Sequence, residues 1–535
     1  MTTELSWSGW GDPARVTALP DAIQQLLASG LGVRFPTPVP ASIDDLELTP
    51  IRLADATASA LAAIVGHDHA HSDHESRARH ALGKSTPDLL ALRGGEPIPA
   101  PDLVLMPGSH DEVLAVLAEC SERRVAVVPF GGGTSVVGGL VPESSGFTGW
   151  MALDVRRLDQ LVALDEESRL ATLGPGLRGP AAEGLLTPRG YTIGHFPQSF
   201  EYATLGGFAA ARSSGQSSAG YGRFDDVVMG CKLATPAGSL ELGRAPKSAA
   251  GPDLRQLVLG SEGALGVITE LTVGVRPAPE RRRYDGWRLP DFESGLATVR
   301  RLIQDGPRPT VLRLSDEAET ALGLARPDEL GHGGEGGCLA IIGYEGTEEA
   351  VQTTRSAASR VLEAAQATPV DGAGAGWAHG RFAGPYLRDA LLDAGALVET
   401  LETVTFWSSV RGLYDAARGA LRDALTEQGT PPVILCHISH VYPAGASLYF
   451  TIACAQLRDP AAQWRLAKRA ASDAILAAGG SITHHHGVGR DHREWLEREI
   501  GLGMRVLQAV KATVDPAGIL NPGILITPQT SPNLG

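Results

Sequence analysis

Hydrophobic and polar positions alternate along this chain with two periods, and the change from one to the other divides it. Residues 1 to 94 read mostly as short helices, interrupted by the turn signals "FPTPVP" and "GGEPIPAP". "PDLVLMP" then gives a short apolar run of the kind a buried strand makes. "SHDEVLAVLAECSERR" follows, with Ser109 and Glu112 at capping-box spacing. Its Val113, Val116, Leu117 and Cys120 fall at i, i+3, i+4 and i+7, one apolar face of a helix. "VAVVPF" is a second strand, so residues 102 to 130 predict a strand–helix–strand unit. "LVALDEESRLATLG" predicts a hairpin that turns at "EES".

From about residue 281 to 450 the period lengthens, and amphipathic helices alternate with isolated strands. "GHGGEGG" (331–337) and "DGAGAG" (371–376) predict loops. "DPAAQWRLAKRAASDAILAAGG" predicts a helix stopped at Gly479–Gly480. A last helix is expected through "HREWLEREIGLGMRVLQAVKATV", ending before Asp515–Pro516.

Composition narrows the function classes. At 535 residues the chain is long enough for two or three domains. Its 46 basic residues against 61 acidic give a net charge of -15, which leaves no basic stripe to neutralise phosphates and argues against a nucleic-acid partner. Five of the 46 are lysine, and this arginine bias with the many Ala and Gly residues suggests a GC-rich bacterial source. The five cysteines are widely spaced with no C-x-x-C pair, so the chain carries no disulfide framework and fits a reducing compartment. No signal pattern opens the sequence, and no apolar run reaches the roughly 18 residues that span a bilayer. A soluble, cytoplasmic protein is expected.

The chemistry begins at "VVPFGGGTS". Pro129 and Phe130 end a strand, Gly131, Gly132 and Gly133 let main-chain N–H groups converge on an anion, and Thr134 and Ser135 add hydroxyls. The pattern matches neither the dinucleotide fingerprint nor the nucleoside-triphosphate loop. Two more segments dense in small and polar residues follow. One holds Gln198, Ser199, Phe200, Glu201, Tyr202, Ala203 and Thr204, then Ala211, Arg212, Ser213 and Ser214; the other holds Glu262, Gly263, Ala264, Leu265, Gly266, Val267 and Ile268. Three such segments suit a large, phosphate-bearing, aromatic cofactor.

These segments resemble those of the vanillyl-alcohol-oxidase/PCMH-type flavoproteins. The resemblance implies an α+β fold: a PCMH-type FAD-binding domain of two α+β subdomains plus an α+β cap. On that basis the chain divides into a mainly helical region (1–94), the FAD domain (95–280), a cap or substrate domain (281–480) and a segment that returns to the FAD site (481–535). Some members tether FAD through a histidine beside the pyrophosphate loop. This chain has Phe130 there, so non-covalent FAD is expected.

Within that superfamily, "WSGWG", "RPTVLRLSD", "CHISHVYPAGASLYF", "GGSITHHHGVGRDHREWL" and "DPAGILNPGIL" resemble the alkyldihydroxyacetonephosphate synthase family. The resemblance implies exchange of the acyl group of acyl-dihydroxyacetone phosphate for a fatty alcohol, through a covalent flavin–substrate adduct and without net redox change. Strand periodicity in "ASLYFTIA" puts Tyr449 with Ser447 and Thr451, opposite Leu448, Phe450 and Ile452. Tyr449 then faces a polar cavity, where the resemblance makes it the acid/base. Arg388 in "PYLRD" matches the family's substrate-binding arginine, and a guanidinium suits a phosphate. Arg313 is a second candidate, with Asp316 as its expected partner.

His484, His485 and His486 are assigned to the active site, in support of proton transfer. Extended geometry sends His484 and His486 to one side and His485 to the other, so no metal is expected there. A second histidine-rich stretch, "HAHSDH" (69–74), fits a two-zinc hydrolase pattern but is read as a solvated loop. The main rival is an FAD-dependent 2-hydroxyacid dehydrogenase of the D-lactate or glycolate type, which shares the FAD segments. Its usual Glu is replaced here by His485, and its His-rich metal segment by "SHVYPAGASLYF". A non-catalytic flavin-binding protein is the third reading. The expected partners are a small-molecule or lipid substrate and a second copy of the chain in a homodimer. A lipid substrate would add peripheral membrane contact.

Overall fold

The computed structural model describes residues 4 to 527 except 17, 35, 37–39, 41, 326–329 and 331–335. Helices and sheets are mixed throughout, and three main sheets organise them. The first holds β1 (Ala70–His71), β2 (Leu103–Leu105), β3 (Val125–Phe130) and β4 (Gly149–Asp154) in the order β1-β2-β4-β3. Strands β2, β4 and β3 run parallel, which requires a crossover, and the helix His110–Arg123 supplies it. Ser109 caps that helix, and Val113, Val116, Leu117 and Cys120 are all buried against the sheet.

The second sheet holds β5 (Leu161–Asp165) and β6 (Leu170–Leu173), the expected hairpin. A short ribbon pairs β7 (Tyr191–Thr192) with a later strand. Then come β8 (Val228–Thr235), β9 (Gly238–Leu242) and β10 (Val267–Gly274), giving the antiparallel order β5-β6-β10-β8-β9. The ribbon closes with β11 (Arg276–Pro277).

The strands beyond residue 280 are not isolated. They are β12 (Arg281–Leu289), β13 (Val311–Ser315), β14 (Cys338–Gly346), β15 (Thr368–Val370), β16 (Ala396–Phe406), β17 (Val433–Ile438) and β18 (Gly445–Ala455). They form one antiparallel sheet in the order β15-β12-β14-β13-β17-β18-β16. The helices Phe292–Gln304, Glu348–Ala364, Val410–Glu427 and Pro460–Ala477 bury their apolar faces with residues of this sheet in one core. The amphipathic period seen in the sequence is the period of that interface.

Two expectations fail here. "DGAGAG" opens a helix, Ala373–Gly380, rather than a loop. A Cβ on Gly374 would stand 2.0 Å from the Tyr284 carbonyl oxygen, so glycine there lets the helix lie directly on β12. Gly374→Ala is therefore expected to cost about 1–3 kcal/mol, the range of an overpacked core, and to appear as a lowered Tm in thermal unfolding. The last predicted helix is broken at Gly501, φ +52°, into Arg493–Ile500 and Leu502–Val514. Of the other predicted loop, residues 331–335 lie outside the described residues.

Candidate active site

A cavity of about 470 Å³ is bordered by residues from all three sheets. Along β18, Tyr449, Thr451 and Ala453 line it, while Leu448, Phe450 and Ile452 turn into the core. The register carries this alternation across the sheet. Tyr449 pairs with Glu402 of β16 and His437 of β17; Thr451 pairs with Thr400 and Leu435; Ala453 pairs with Val398 and Val433. Successive rows lie about 7 Å apart, two residues along a strand. The wall thus grades from ionisable through mixed to apolar, and Ile23, Leu27 and Leu391 extend the apolar end. Burial pushes the Tyr449 phenol up to about 12, so it rests protonated. Its ring stacks on His437 at 4.9 Å.

The glycine segments border the same cavity. Pro129, Phe130, Gly131, Gly132, Gly133, Thr134 and Ser135 all line it. A Cβ on Gly132 would stand 2.2 Å from the Tyr202 carbonyl oxygen, so the loop packs main chain against main chain there. Gln198, Ser199, Ala203, Thr204, Ala211, Ser213, Ser214, Glu262, Gly263, Gly266, Val267 and Ile268 also line the cavity.

The other six candidates from the sequence do not. Phe200 stacks on Phe382, Glu201 pairs with Arg15 at 2.8 Å, and the Tyr202 hydroxyl meets that of Tyr386. Arg212 donates to the Leu259 carbonyl, and Ala264 and Leu265 pack against Val488 and Met504. Neighbouring residues of a wall segment cannot all face one way, and these are the ones turned outward. Two buried acceptors on the cavity, Asn521 Oδ1 and Gln216 Oε1, find no donor among the described residues. They fit a ligand that brings N–H groups of its own.

The histidine triplet is not extended. It bends around the carboxylate of Glu402, which accepts His484 N–H at 2.6 Å, His486 N–H at 3.0 Å and His485 N–H at 3.2 Å, as well as the Thr483 hydroxyl. Next along, Val488 and Gly489 N–H donate to Glu262 at 2.7 and 2.8 Å. The bend brings Nδ1 of His484 and His485 to 2.9 Å, which corrects their expected placement on opposite sides. With His440 their ring nitrogens converge within 4.8 Å. Hydrogen bonds account for that approach: Ser214 and Ser218 lie at 3.0 Å from His440 Nδ1, and the Tyr442 hydroxyl lies at 2.6 Å from His484 Nε2.

Burial drives His440 and His484 well below the ordinary imidazole range and His486 down to about 3. Burial opposes charge on Glu402 as well, but His485, His486, Thr483 and the amide donors outweigh it and bring the carboxyl to about 2. The other histidine-rich stretch gathers no comparable group among the described residues; its His74 Nε2 meets the Leu46 carbonyl at 2.9 Å.

Known proteins agree with this geometry. The FAD binding domain model matches residues 101–242, and that of FAD linked oxidases, C-terminal domain, matches 278–525. Alkyldihydroxyacetonephosphate synthase of Dictyostelium discoideum is 32% identical over 98% of this chain and 93% of its own. The chain belongs to the alkyldihydroxyacetonephosphate synthase family. A solved structure of such a synthase superposes with a TM-score of 0.83 at 29% identity, covering 97% of this chain and 98% of that one. The rival type is more distant: glycolate oxidase subunit GlcD of Bacillus subtilis is 27% identical over 79% of this chain and 88% of its own. FAD is the cofactor of this synthase-family enzyme, and the loop, hydroxyls and orphan acceptors described above fit it.

Both arginine candidates of this synthase-family site line the cavity. Arg388 donates to Asp389 Oδ1 at 2.7 and 3.0 Å and to the Lys84 carbonyl, which orients the guanidinium and, among the described residues, leaves further N–H groups unused. Arg313 does not pair with Asp316. Asp316 caps the helix Glu317–Leu322 and binds Tyr414 and Arg418, while Arg313 meets Glu319 at 2.6 Å. His437 Nδ1 lies 2.8 Å from the same Glu319 carboxylate.

Glu402, Glu319, His437, His440 and Asn521 are not among the sequence candidates. A usable signal exists for the first: two acidic residues, Glu399 and Glu402, inside the strand-like run "ALVETLETVTF".

Proposed function

We propose that the enzyme exchanges the acyl group of an acyl-dihydroxyacetone phosphate for a fatty alcohol, with no net redox change. The observation that supports this most is the graded wall of β16–β18. Its ionisable row at Tyr449 and His437 gives way within two rows to Val398, Ala453 and Val433. That layout suits a substrate with a charged head, a reactive carbon and an aliphatic chain. The bond between substrate carbon and acyl oxygen breaks, a bond from the same carbon to the alcohol oxygen forms, and the alcohol proton ends with the released carboxylic acid. FAD, when bound, offers the reacting carbon an electron-accepting ring. Tyr449, protonated at rest, serves as proton donor; the neutral histidines accept.

Arg388, oriented by Asp389, holds the phosphate. Arg388→Ala is expected to raise KM for the phosphorylated substrate about 10- to 100-fold, the worth of a charge-assisted contact, in steady-state kinetics. We also propose non-covalent FAD. Phe130 packs on His80 at 4.3 Å, and both His80 nitrogens have partners, Ser76 O at 2.7 Å and Asp154 at 3.0 Å. Acid precipitation should therefore leave the flavin in the supernatant. A cytoplasmic homodimer with peripheral membrane contact belongs to the same proposal; no helix among the described residues is long and apolar enough to cross a membrane.

The deciding experiment follows flavin absorbance. Bleaching by acyl-dihydroxyacetone phosphate, reversed by fatty alcohol without an electron acceptor, is the expected result. Bleaching by a 2-hydroxyacid, reversed only by an acceptor, would replace this reading with the dehydrogenase one.

A further inference from the structure

We propose that Glu402 is a positioning residue that fixes His485 with its proton on Nδ1, leaving Nε2 as the basic atom of the histidine triplet. The inference rests on the synthase reading only for the use to which that base is put. Glu402 stands in the middle of β16, directly across the register from Tyr449. It is 1% exposed, yet no arginine or lysine pairs with it among the described contacts. Instead its two oxygens occupy a socket made by three consecutive main-chain N–H groups, those of residues 484, 485 and 486, closed by the Thr483 hydroxyl. Converging amides of this kind form an anion seat. Here the anion belongs to the protein, so what the seat determines is the shape of the triplet.

The same carboxylate acts on the rings. Glu402 Oε2 lies 3.6 Å from His485 Nδ1, and Oε1 lies 4.0 Å from His486 Nδ1. The second neighbour of His485 Nδ1 is His484 Nδ1 at 2.9 Å. A proton on His485 Nδ1 satisfies both neighbours: it faces the carboxylate and donates to His484. His484 then carries its own proton on Nε2 and donates it to the Tyr442 oxygen at 2.6 Å. The reverse arrangement would turn a nitrogen lone pair of His485 toward an anion. Around the ring stand Glu402, Arg223, His437, His440, Tyr449 and the flanking His484 and His486, and Glu402 is the anion of that set. The tautomer of an imidazole is set by the bond its other nitrogen makes, and His485 borders the cavity.

Nitrogen NMR of FAD-loaded enzyme carrying ¹⁵N-labelled histidine reads this directly, with His485 assigned from the signals missing in His485→Gln. The wild-type protein should show His485 protonated on Nδ1 and bare on Nε2 near neutral pH. Glu402→Gln, with its flavin band intact, should shift His485 toward the other tautomer and lower its pKa by at least one unit. Wild-type His485 protonated on Nε2 overturns the proposal by itself, and that measurement decides the matter should the variant fail to hold flavin. An unchanged tautomer and pKa in a flavin-loaded variant overturn it as well. No substrate is present, so failure of the alcohol exchange would leave this result standing, and the converse.

Discussion

Tyr449→Phe is expected to keep the flavin and lose turnover by about 10²- to 10⁴-fold, the usual worth of a positioned proton donor. The substitution removes one oxygen from a ring that is held on both sides. Leu448 and Phe450 anchor the strand in the core, and the ring stacks on His437. The geometry therefore survives while the proton does not. Single-turnover flavin bleaching with the acyl substrate measures the step directly. A variant that turns over at the wild-type rate would remove Tyr449 from the chemistry and leave it a wall residue.

Glu319→Ala should have the largest effect on stability. Glu319 is fully buried and faces Arg313 at 2.6 Å, His437 at 2.8 Å and the Ser315 hydroxyl at 2.7 Å. Removing one partner of a buried pair strands the other, at a cost of about 3–5 kcal/mol, so Tm should drop by several degrees. Burial opposes ionisation of Glu319, but His437 and Arg313 outweigh it and hold the carboxyl well below the ordinary range. The sign of the pH effect follows. A depressed carboxyl stabilises the fold above its unfolded pKa of about 4.3, and that contribution drains away as pH falls toward the folded value. Wild-type Tm should fall more steeply below pH about 4 than that of Glu319→Gln. Parallel Tm curves would show that the ion pair adds nothing.

What could be read from the sequence was whatever the chain states locally. The strand and helix that lead to Gly131–Gly133 announce themselves by period and capping, and Tyr449 finds its face because a strand alternates strictly. The failures come from partners and directions that the local pattern does not name. Asp316 is the nearest acid to Arg313 in sequence, but that carboxylate is consumed as a helix cap, and Glu319 one turn later takes the guanidinium. Nothing within the triplet shows that Glu402, some 80 residues earlier, bends it out of an extended strand. Contiguous segments overstate the cofactor site for a simpler reason: Phe200, Tyr202 and Leu265 share a segment with wall residues but face the opposite way.

The first sheet has an unusual completion. Val127 of β3 donates to the Ile519 carbonyl and accepts from Asn521 N–H, both at 2.8 Å, and the Asn521 side-chain amide donates to the carbonyls of Gly139 and Glu262. A chain leaving the ribosome in sequence order will have made the whole glycine loop, and then waited for nearly 400 more residues, before that edge can close. Non-local closures of this length come late in folding. The nascent protein is thus expected to acquire its flavin after synthesis of residue 521, not during it, and stalled shorter chains should emerge colourless.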